Sequence, residues 1–547
     1  MSPLHFTLSL AAVLGVCPSL AWAAPSDLEG DVVLRVGDNV PGLGDVTVIR
    51  EVAIDDLGNW YVDVNTDFPN NDQDDAVVRS GALLYQEGHS LNLPVGTVVD
   101  AFDDLDGSIV DNDLPGWVLF MDGGGLGNPE NQGVFVGDEL ILQGGDQTNV
   151  PGMPAGTIWS SLLDVKANEA DQLLVMSTVM DPNQGFIRAL VKLQLDGLGG
   201  ILSRELISYP GMVPAGQADQ VEELEFGVHE FALSDGGHVI HSARLSGSPS
   251  LDVAILVDGG IVAREGGVSP VAGRPWQVLN NAEVDVNTHG DWALTGILTG
   301  VNDDDTLIER SGEVLVREAD VLPGISPFAV TALSITATPG PIHIGDNGNV
   351  LWMGTWSDPD TTKNRGLFLN DRLLVQQNVT SINGELLTLL EGTEGSYGLS
   401  DDGETVVLRA RLAGNVPAVV VIDVGPWTSL GQGLAGSGGL MPSLVGSGPM
   451  TGNSQLGLCL TNGLPSAASW LVAGFSNLSQ PLKGGILVPN ADLVVPLALD
   501  PQGELELSLA LPPIVPQGLP IYAQFFVQDP AGPVGFSVSN AVLGIAP

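Results

Sequence analysis

A tight turn built from Asp and Gly recurs along most of this chain, and it restricts the fold more than any other feature. The clearest copy is Leu233–Ile240, where Ser234-Asp235-Gly236-Gly237 separates two apolar stretches. Gly readily adopts the positive φ that such a turn needs, and an Asp side chain can accept hydrogen bonds from backbone amides two residues further on. Each copy therefore predicts two antiparallel strands joined by a short turn.

Seven copies of this turn follow one another at similar spacing. With Ala170 standing once in the place of Gly, the turn positions are 58, 116, 170, 237, 290, 348 and 403, so the intervals are 58, 54, 67, 53, 58 and 55 residues. After most turns comes a second apolar pair around a small turn, as in residues 254–263. A unit of roughly 50 residues with about four short strands is typical of a β-propeller blade. A string of hairpins in stacked sandwiches is the alternative.

The first residues predict an export signal. The apolar run Phe6–Val16 is followed by Ala21-Trp22-Ala23, which favours a signal peptide at 1–23, although the start offers only His5 and no Lys or Arg. No later apolar run is long and uncharged enough to span a bilayer. We therefore expect a mature protein that is secreted or held at the cell surface.

The charge balance is strongly acidic and unevenly distributed. There are 18 Lys and Arg against 66 Asp and Glu, for a net charge of −48. From residue 428 onward there are five acidic residues and one base, Lys483, so that segment contributes 1 − 5 = −4. Nucleic acid and anionic membrane surfaces are excluded as partners because both need clustered positive charge. The acid is either a solvated surface suited to salty surroundings or a set of ligands for Ca²⁺.

The composition divides the chain in two after residue 427. Residues 30–427 hold the repeats, and we expect the opening strand near Val32–Val36 to complete the last blade. Residues 428–547 begin with a Gly-rich linker and continue as short apolar runs separated by Pro and Gly, which predicts a small β-sandwich. The predicted strands are the runs at 455–460, 469–473, 485–488, 505–511 and 521–527. The fold class expected from the sequence is all-β, with a seven-bladed β-propeller-like repeat domain followed by a small C-terminal β-sandwich.

The best candidate for a metal site is the acidic loop 103–113. Its alternating carboxylates Asp104, Asp106 and Asp111 surround Gly107, and Ca²⁺ takes about six to eight oxygen ligands. The spacing after Gly107 is one residue longer than in the usual calcium loop of integrin-type repeats, and the loop is short for an EF-hand. An exposed acidic loop between blades is the alternative interpretation, and calcium is the one cofactor that the sequence suggests.

The sequence shows no recognisable catalytic motif. His238 and His241 lie three apart in a strand and so face opposite sides of the sheet, which predicts packing or surface roles. His343 lies near a turn without acidic or nucleophilic partners in a shared pattern. Nucleophile elbows, zinc-protease motifs and phosphate-binding loops are missing from the sequence. Carboxylate pairs for glycoside hydrolysis would be invisible at this stage.

We expect mainly structural roles for the tryptophans and for the cysteine. We expect the four Trp that follow their turns to pack between blades, whereas Trp356 breaks this regularity, which leaves it open to exposure. Cys459 is the one cysteine after signal cleavage, so we expect no intramolecular disulfide and a small buried apolar residue there. The four Trp are Trp60, Trp117, Trp292 and Trp352.

Two resemblances cover nearly the whole mature chain. Turns such as Gly37–Gly42 and Val321–Gly324 resemble an uncharacterised family of exported bacterial repeat proteins predicted to be propellers. The tail, with its Gly-rich segment 439–449 and late Ser539-Asn540-Ala541, is similar to a C-terminal domain appended to many exported proteins of environmental bacteria. Those tails often carry a Cys where this chain has Gly433-Leu434-Ala435. The resemblances imply an exported β protein and supply no activity or catalytic residue.

The leading functional hypothesis is an exported, non-catalytic binding or scaffold protein of the cell exterior. It would take an extracellular protein or polysaccharide on the loops at one face of the ring. The alternatives are a propeller hydrolase or lyase acting on an extracellular polysaccharide, and a calcium-dependent adhesion protein. Carboxylates and His converging at the central channel would favour the enzyme, and an uncharged aromatic face would favour the binder.

Overall fold

The chain is built almost entirely from β-strands and turns. A computed structural model describes residues 27–547 except 29, 56–57, 90–96, 104–108, 111–113, 124, 225–230, 249–250, 301–303, 334–339, 394, 448–449, 451–453, 513–514, 517–518 and 547. Helical structure within these residues is limited to three short 3₁₀ turns, at Pro323–Ile325, Ser437–Gly439 and Pro533–Gly535. The described residues include no helix with the length and hydropathy needed to cross a bilayer. The all-β prediction is confirmed.

Two compact units account for the described residues. One comprises residues 24–346 and 350–423, which we call the repeat unit, and the other comprises residues 347–349 and 424–547, which we call the C-terminal unit.

The repeat unit contains strands β1 to β37. The first sixteen are β1 (Asp27–Leu28), β2 (Asp31–Arg35), β3 (Asn39–Val40), β4 (Gly44–Ile54), β5 (Trp60–Thr66), β6 (Asp75–Arg79), β7 (Ala82–Gln86), β8 (Thr97–Asp103), β9 (Ile109–Val110), β10 (Leu114–Gly123), β11 (Gln132–Val136), β12 (Glu139–Gln143), β13 (Ile158–Asn168), β14 (Gln172–Asp181), β15 (Gly185–Leu195) and β16 (Ile201–Ser208).

The remaining strands of this unit are shorter on average. They are β17 (Val221–Glu223), β18 (Phe231–Leu233), β19 (Val239–Leu245), β20 (Val253–Val257), β21 (Gly260–Arg264), β22 (Trp276–Val278), β23 (Val284–Val286), β24 (Trp292–Leu298), β25 (Thr306–Arg310), β26 (Glu313–Arg317), β27 (Val330–Ala332), β28 (His343–Ile344), β29 (Val350–Trp356), β30 (Arg365–Leu369), β31 (Arg372–Gln376), β32 (Ser381–Ile382), β33 (Glu385–Leu386), β34 (Leu389–Leu390), β35 (Tyr397–Leu399), β36 (Thr405–Leu412) and β37 (Val416–Asp423).

These strands form seven antiparallel sheets in succession. Sheets 1 to 6 are β3–β7, β8–β12, β13–β16, β17–β21, β22–β26 and β27–β31, and sheet 7 is β34–β37 with β2 added at its edge. In sheets 4, 5, 6 and 7 the inner strand is split into two pieces of two or three residues that pair with the same neighbour, for example β22 and β23 with β24. In sheet 2 the longer β8 and the short β9 both pair with β10. A small additional sheet joins β1, β32 and β33.

The first long strand closes the last sheet, as the sequence predicts. Strand β2 pairs with β37 in antiparallel register, with Asp31 opposite Val421 and Arg35 opposite Ala418. Leu34 is 5% exposed and belongs to a core shared by sheets 7 and 1. The two ends of the repeat unit are therefore held together by backbone pairing and apolar packing.

Each sheet packs face to face on the next, which produces a ring. Separate hydrophobic cores join sheets 1 and 2, 2 and 3, 3 and 4, 4 and 5, and 5 and 6. Sheet 7 contacts sheet 6 through β28 with β35 and contacts sheet 1 through β4 with β35, β36 and β37. The inner strands β13, β18, β23, β28 and β35 contact one another in order. This arrangement confirms a propeller-like repeat domain.

The recurring turn connects the inner strand of a sheet to the second strand and also ties neighbouring sheets together. Gly237 and Gly290 adopt φ of +77° and +80°, as the sequence predicts. The carboxylate of Asp235 accepts a hydrogen bond from the Glu169 amide of sheet 3 at 2.9 Å. In the same way Asp346 of sheet 6 accepts from the Thr288 amide of sheet 5 at 2.8 Å. The Asp side chain of each of these turns thus accepts a hydrogen bond from a backbone amide in the turn of the preceding sheet.

Two of the seven turn positions predicted from the sequence, 116 and 170, are wrong in detail. Gly116 lies inside β10, where a Cβ would stand 3.0 Å from the Ala167 side chain of sheet 3. The lack of a side chain at Gly116 allows two sheets to pack closely and does not serve a turn. In the third repeat the residue with positive φ is Asp171, at +56°, and not Ala170.

The tryptophans largely follow the expected pattern. Trp117 and Trp352 are 1% and 0% exposed, and Trp60 is also buried, whereas Trp292 is partly exposed against the core of sheets 4 and 5. The expectation for Trp356 is wrong, because it is 1% exposed and packs edge-on against Phe368 at 5.9 Å. Trp356 is the last residue of β29, and the last residues of the equivalent strands β5, β19 and β24 are buried as well.

The C-terminal unit is a sandwich of two main sheets. Its strands are β38 (Trp427–Ser429), β39 (Ser443–Ser447), β40 (Gln455–Thr461), β41 (Ala468–Gly474), β42 (Asn477–Leu482), β43 (Gly485–Pro489), β44 (Leu493–Ala498), β45 (Leu505–Ala510), β46 (Pro520–Gln528), β47 (Phe536–Val538) and β48 (Val542–Ile545). A six-stranded sheet (β38, β48, β46, β41, β44 and β47) faces a three-stranded sheet (β39, β40 and β45) across one core. The hairpin β42–β43 packs on the outer face of the larger sheet.

Cysteine 459 occupies a less buried position than expected. Leu458 and Leu460 on either side of it lie in the sandwich core. Successive side chains of a strand point to opposite faces, so Cys459 lies on the other face of β40, where it is half-buried.

Candidate functional site

Three polar side chains occupy one position of the repeat, two residues before the first residue of the turn. They are Lys166 on β13, Asp285 on β23 and His343 on β28. We call these three residues, together with Tyr397 on β35, the channel cluster. Lys166 lies within electrostatic range of both Asp285 and His343. Groups from sheets 3, 5, 6 and 7 are therefore brought together along the inner strands.

Asp285 binds the next sheet through its carboxylate. Its Oδ2 accepts a hydrogen bond from the Ile344 amide at 2.8 Å, and its Oδ1 accepts from the Val286 amide at 2.8 Å. Burial raises the pKa of Asp285 to about 7, against the effect of these two amides and of Lys166. The group can therefore exchange a proton near neutral pH while it links sheet 5 to sheet 6.

His343 contacts the following sheet in turn. Its ring meets the ring of Tyr397 edge-on, with 5.9 Å between the centroids. Burial lowers the pKa of His343 to about 4, although a hydrogen bond with the Tyr397 backbone acts in the opposite direction. Its Nε2 is buried and has no hydrogen-bond partner among the described residues. The imidazole is therefore neutral at pH 7.

Tyr397 completes the link between sheets 6 and 7. Its hydroxyl donates a hydrogen bond to the Pro341 carbonyl at 2.5 Å. Burial, followed by the charge of Glu283, raises the pKa of Tyr397, and Arg365 acts in the opposite direction. The phenol is therefore a fixed neutral donor.

The charge of Lys166 is paired with a carboxylate on its own strand. Its Nζ lies 3.4 Å from Asp164 Oδ2 and 5.4 Å from the centre of the Phe231 ring of sheet 4. Both charged side chains are buried, at 6% and 7% exposure. Pairing and the aromatic face offset the cost of burying the ammonium group.

The channel cluster therefore meets the condition for an enzyme only in part. A carboxylate and a His do converge along the inner strands. However, each side chain of the shared repeat position contacts the inner strand of the next sheet: Lys166 at Phe231, Asp285 at Ile344 and His343 at Tyr397. The same polar groups that could carry acid–base chemistry are held in contacts between sheets.

The residues predicted as metal ligands, Asp104, Asp106 and Asp111, lie outside the described residues. Within the part of the chain that the structure describes, no group of three His, Cys, Asp or Glu side chains is arranged to hold a metal ion. The predicted signal peptide at 1–23 also falls outside the described residues.

The two predicted histidines lie apart, one before β19 and one within it. His238 lies in the turn that precedes β19 and is about one-third exposed, with Nδ1 2.7 Å from Asp258 Oδ2. His241 is 1% exposed. Neither belongs to the channel cluster.

Lys166, Asp285 and Tyr397 were not predicted as functional residues from the sequence, and His343 was given no role. A usable signal was present: with Asp171 as the turn position of the third repeat and the second repeat left out, an alignment of the other six repeats on their turns places residues 53, 166, 232, 285, 343 and 398 at one position. Polar residues occupy three of these positions, and Ala53, Ala232 and Gly398 occupy the others.

The comparisons with known proteins identify no family. No family model matches the sequence, and no curated protein matches it. Among solved structures, the chain is similar to an ancestral GH74 enzyme, with 10% identity, a TM-score of 0.19, and 90% of this chain and 68% of the other covered. It is also similar to a tetra-tandem repeat in the extending region of a large adhesion protein, with 10% identity, a TM-score of 0.14, and coverage of 91% and 98%. Such values carry no argument about function.

Proposed function

We propose that the chain is an exported binding or scaffold protein of the cell exterior that acts without catalysis. In this proposal the ring of sheets is a rigid support, and an extracellular protein or polysaccharide binds to loops at one face of the repeat unit.

One observation carries this proposal: the polar residues of the shared repeat position are used between sheets. Asp285 accepts a hydrogen bond from the Ile344 amide of the next sheet. The Asp residues of the turns bond to the preceding sheet instead, since Asp235 accepts from the Glu169 amide and Asp346 accepts from the Thr288 amide. General acid–base catalysis needs a group within hydrogen-bond reach of a substrate proton. Here both oxygens of the Asp285 carboxylate already accept backbone amides.

The charge distribution narrows the class of ligand. Of the net charge of −48, all but −4 lies before residue 428. A surface of one sign repels ligands of the same sign. The proposed ligand of the repeat unit is therefore a neutral polysaccharide or a protein surface with positive charge, and not an acidic polysaccharide.

A polysaccharide hydrolase or lyase remains the second candidate, and one observation favours it. Burial raises the pKa of Asp285 to about 7, which suits proton transfer at neutral pH. His343 beside it offers a buried Nε2 that has no hydrogen-bond partner among the described residues.

A single experiment separates the two functions. The full chain and the Asp285→Asn variant, which keeps a carbonyl oxygen for the Ile344 amide, are incubated with insoluble neutral and acidic polysaccharides. Protein retained on each polysaccharide and newly formed reducing ends are measured together. We expect both proteins to be retained equally on a neutral polysaccharide, with no new reducing ends. Reducing ends or unsaturated products that form with the parent and are lost in D285N would establish the enzyme instead.

A further inference from the structure

A groove of about 510 Å³ lies on the C-terminal unit, between the segment Gln432–Leu434 and the tip of the β42–β43 hairpin. Its walls include the apolar side chains of Leu434, Leu482 and Ile486. A volume of this size falls in the range of ligand-binding clefts.

The floor of the groove is formed by glycine backbone. Gly433, Gly484 and Gly485 all line it. A Cβ on Gly433 would stand 2.2 Å from the sulfur of Met441, so a larger residue does not fit there. Gly484 has φ of +87° in the hairpin turn, a conformation that favours glycine. Glycines at such positions allow another backbone to approach closely.

One rim of the groove carries a positive charge. Lys483 is exposed at the hairpin tip, with Nζ 4.7 Å above the centre of the Phe536 ring. This cation–π contact holds the ammonium group at the rim. Lys483 is the one Lys or Arg in residues 428–547, so it is the one fixed cation that this segment offers to a partner.

We propose that this groove binds an extended peptide segment of a partner protein, in which acidic side chains alternate with apolar ones. The apolar side chains contact Leu434, Leu482 and Ile486, the backbone lies over the glycines, and a carboxylate pairs with Lys483. Residues 428–547 carry a net charge of only −4, so they repel an acidic segment much less than the repeat unit does. The proposal does not depend on the function proposed for the repeat unit.

The test uses the full chain and two labelled peptides. One is a fluorescein-labelled peptide of alternating valine and aspartate, and the other has lysine in place of aspartate. Binding is followed by fluorescence anisotropy at physiological ionic strength, where charges more than about 8 Å apart are largely screened. We expect the aspartate peptide to bind in a way that depends on Lys483, whereas any binding of the lysine peptide to the acidic repeat unit should be the same in the parent and in K483E.

Three variants locate the binding. Lys483→Glu should weaken binding of the aspartate peptide about tenfold, because it replaces an attractive charge at the rim by a repulsive one. Gly485→Ala should also weaken it, because the added Cβ meets Val538 and Leu434 at 3.3 and 3.6 Å and narrows the groove without requiring a positive φ. Lys363→Glu makes the same charge change at an exposed Lys of the repeat unit and should have no effect.

Several outcomes would overturn the proposal. These are no binding of the aspartate peptide, or equal affinities for it in K483E and K363E. Self-association of the parent that is lost in K483E would assign the groove to a second copy of the chain instead. Thermal unfolding of each variant shows whether a loss of binding reflects a loss of structure, and G485A then serves as the second, uncharged probe of the same groove.

Discussion

At the scale of single residues, His241 is the group whose ionisation should most clearly limit stability in acid. It is 1% exposed, and neither ring nitrogen has a hydrogen-bond partner among the described residues. Burial lowers its pKa to about 4, below the unfolded value of about 6.5. Because the unfolded chain then binds the proton first, the stability is complete above about pH 6.5 and is lost as the pH falls toward 4.

We therefore expect His241→Phe to resist acid better than the parent. Between about pH 7 and pH 4 the free energy of unfolding should fall by about 3 kcal/mol less in the variant. Denaturant unfolding at several pH values measures this difference. At pH 7 His241 is neutral, so the comparison there isolates the effect of packing the larger ring. Parallel pH profiles for the two proteins would show that His241 does not limit stability.

Residue roles were predictable from the sequence where they depend on local geometry. The expected bonds from turn side chains to amides two residues on are present, for example from the His289 amide to Asn287 and from the Glu404 amide to Asp402. The bonds that join sheets were not predictable, because Asp346 and Thr288 are 58 residues apart in sequence. Only the ring places them side by side.

At the scale of elements, strand β2 closes the ring through two contacts of different kinds. Leu34 packs into the core of sheets 7 and 1 at 5% exposure. Its neighbour Arg35 forms a bidentate ion pair with Glu385, with distances of 2.8 and 2.7 Å, and both side chains are partly exposed.

We expect Leu34→Ala to destabilise the repeat unit far more than Arg35→Ala. Loss of a buried Leu costs about 2–5 kcal/mol, whereas an exposed ion pair contributes about 0–1 kcal/mol. Denaturant unfolding followed by tryptophan fluorescence compares the two neighbouring variants. A larger loss in R35A than in L34A would mean that the ion pair, and not apolar packing, holds the closing strand.

The strands of the C-terminal unit show how far element prediction reaches. The apolar runs at 455–460, 469–473, 485–488, 505–511 and 521–527 coincide with β40, β41, β43, β45 and β46 within one or two residues at each end. Strands β42 and β44 were missed because they are mostly exposed, and so they lack the buried apolar pattern that identifies the others. The split inner strands of the repeat unit were missed because pieces of two or three residues carry no periodicity.

At the scale of the whole molecule, buried and half-buried carboxyl groups lower the stability as the pH rises above about 4. Burial is the largest cause of each shift, and neighbouring carboxylates add to it for Asp63, Glu87 and Glu404. A carboxyl whose pKa is raised in the folded state favours folding at low pH, and this stability is lost as the pH rises from about 4 to the folded value. The raised pKa values are about 8 for Asp63 and about 7 for Glu87, Asp285, Glu309 and Glu404.

The full chain should therefore gain stability as the pH falls from about 8 toward about 4, because five carboxyls with raised pKa values outweigh the two histidines with lowered pKa values over that range. We expect the Tm to fall as the pH rises from about 4 to about 8. Asp63→Asn should match the parent below about pH 4, where Asp63 is protonated in both the folded and the unfolded chain, and exceed it at pH 9. General repulsion among surface carboxylates predicts a fall in the same direction, but added salt screens that repulsion and does not remove the cost of burying a charged Asp63. An advantage of D63N that persists in high salt assigns the effect to Asp63, whereas one that disappears assigns it to the net charge of −48.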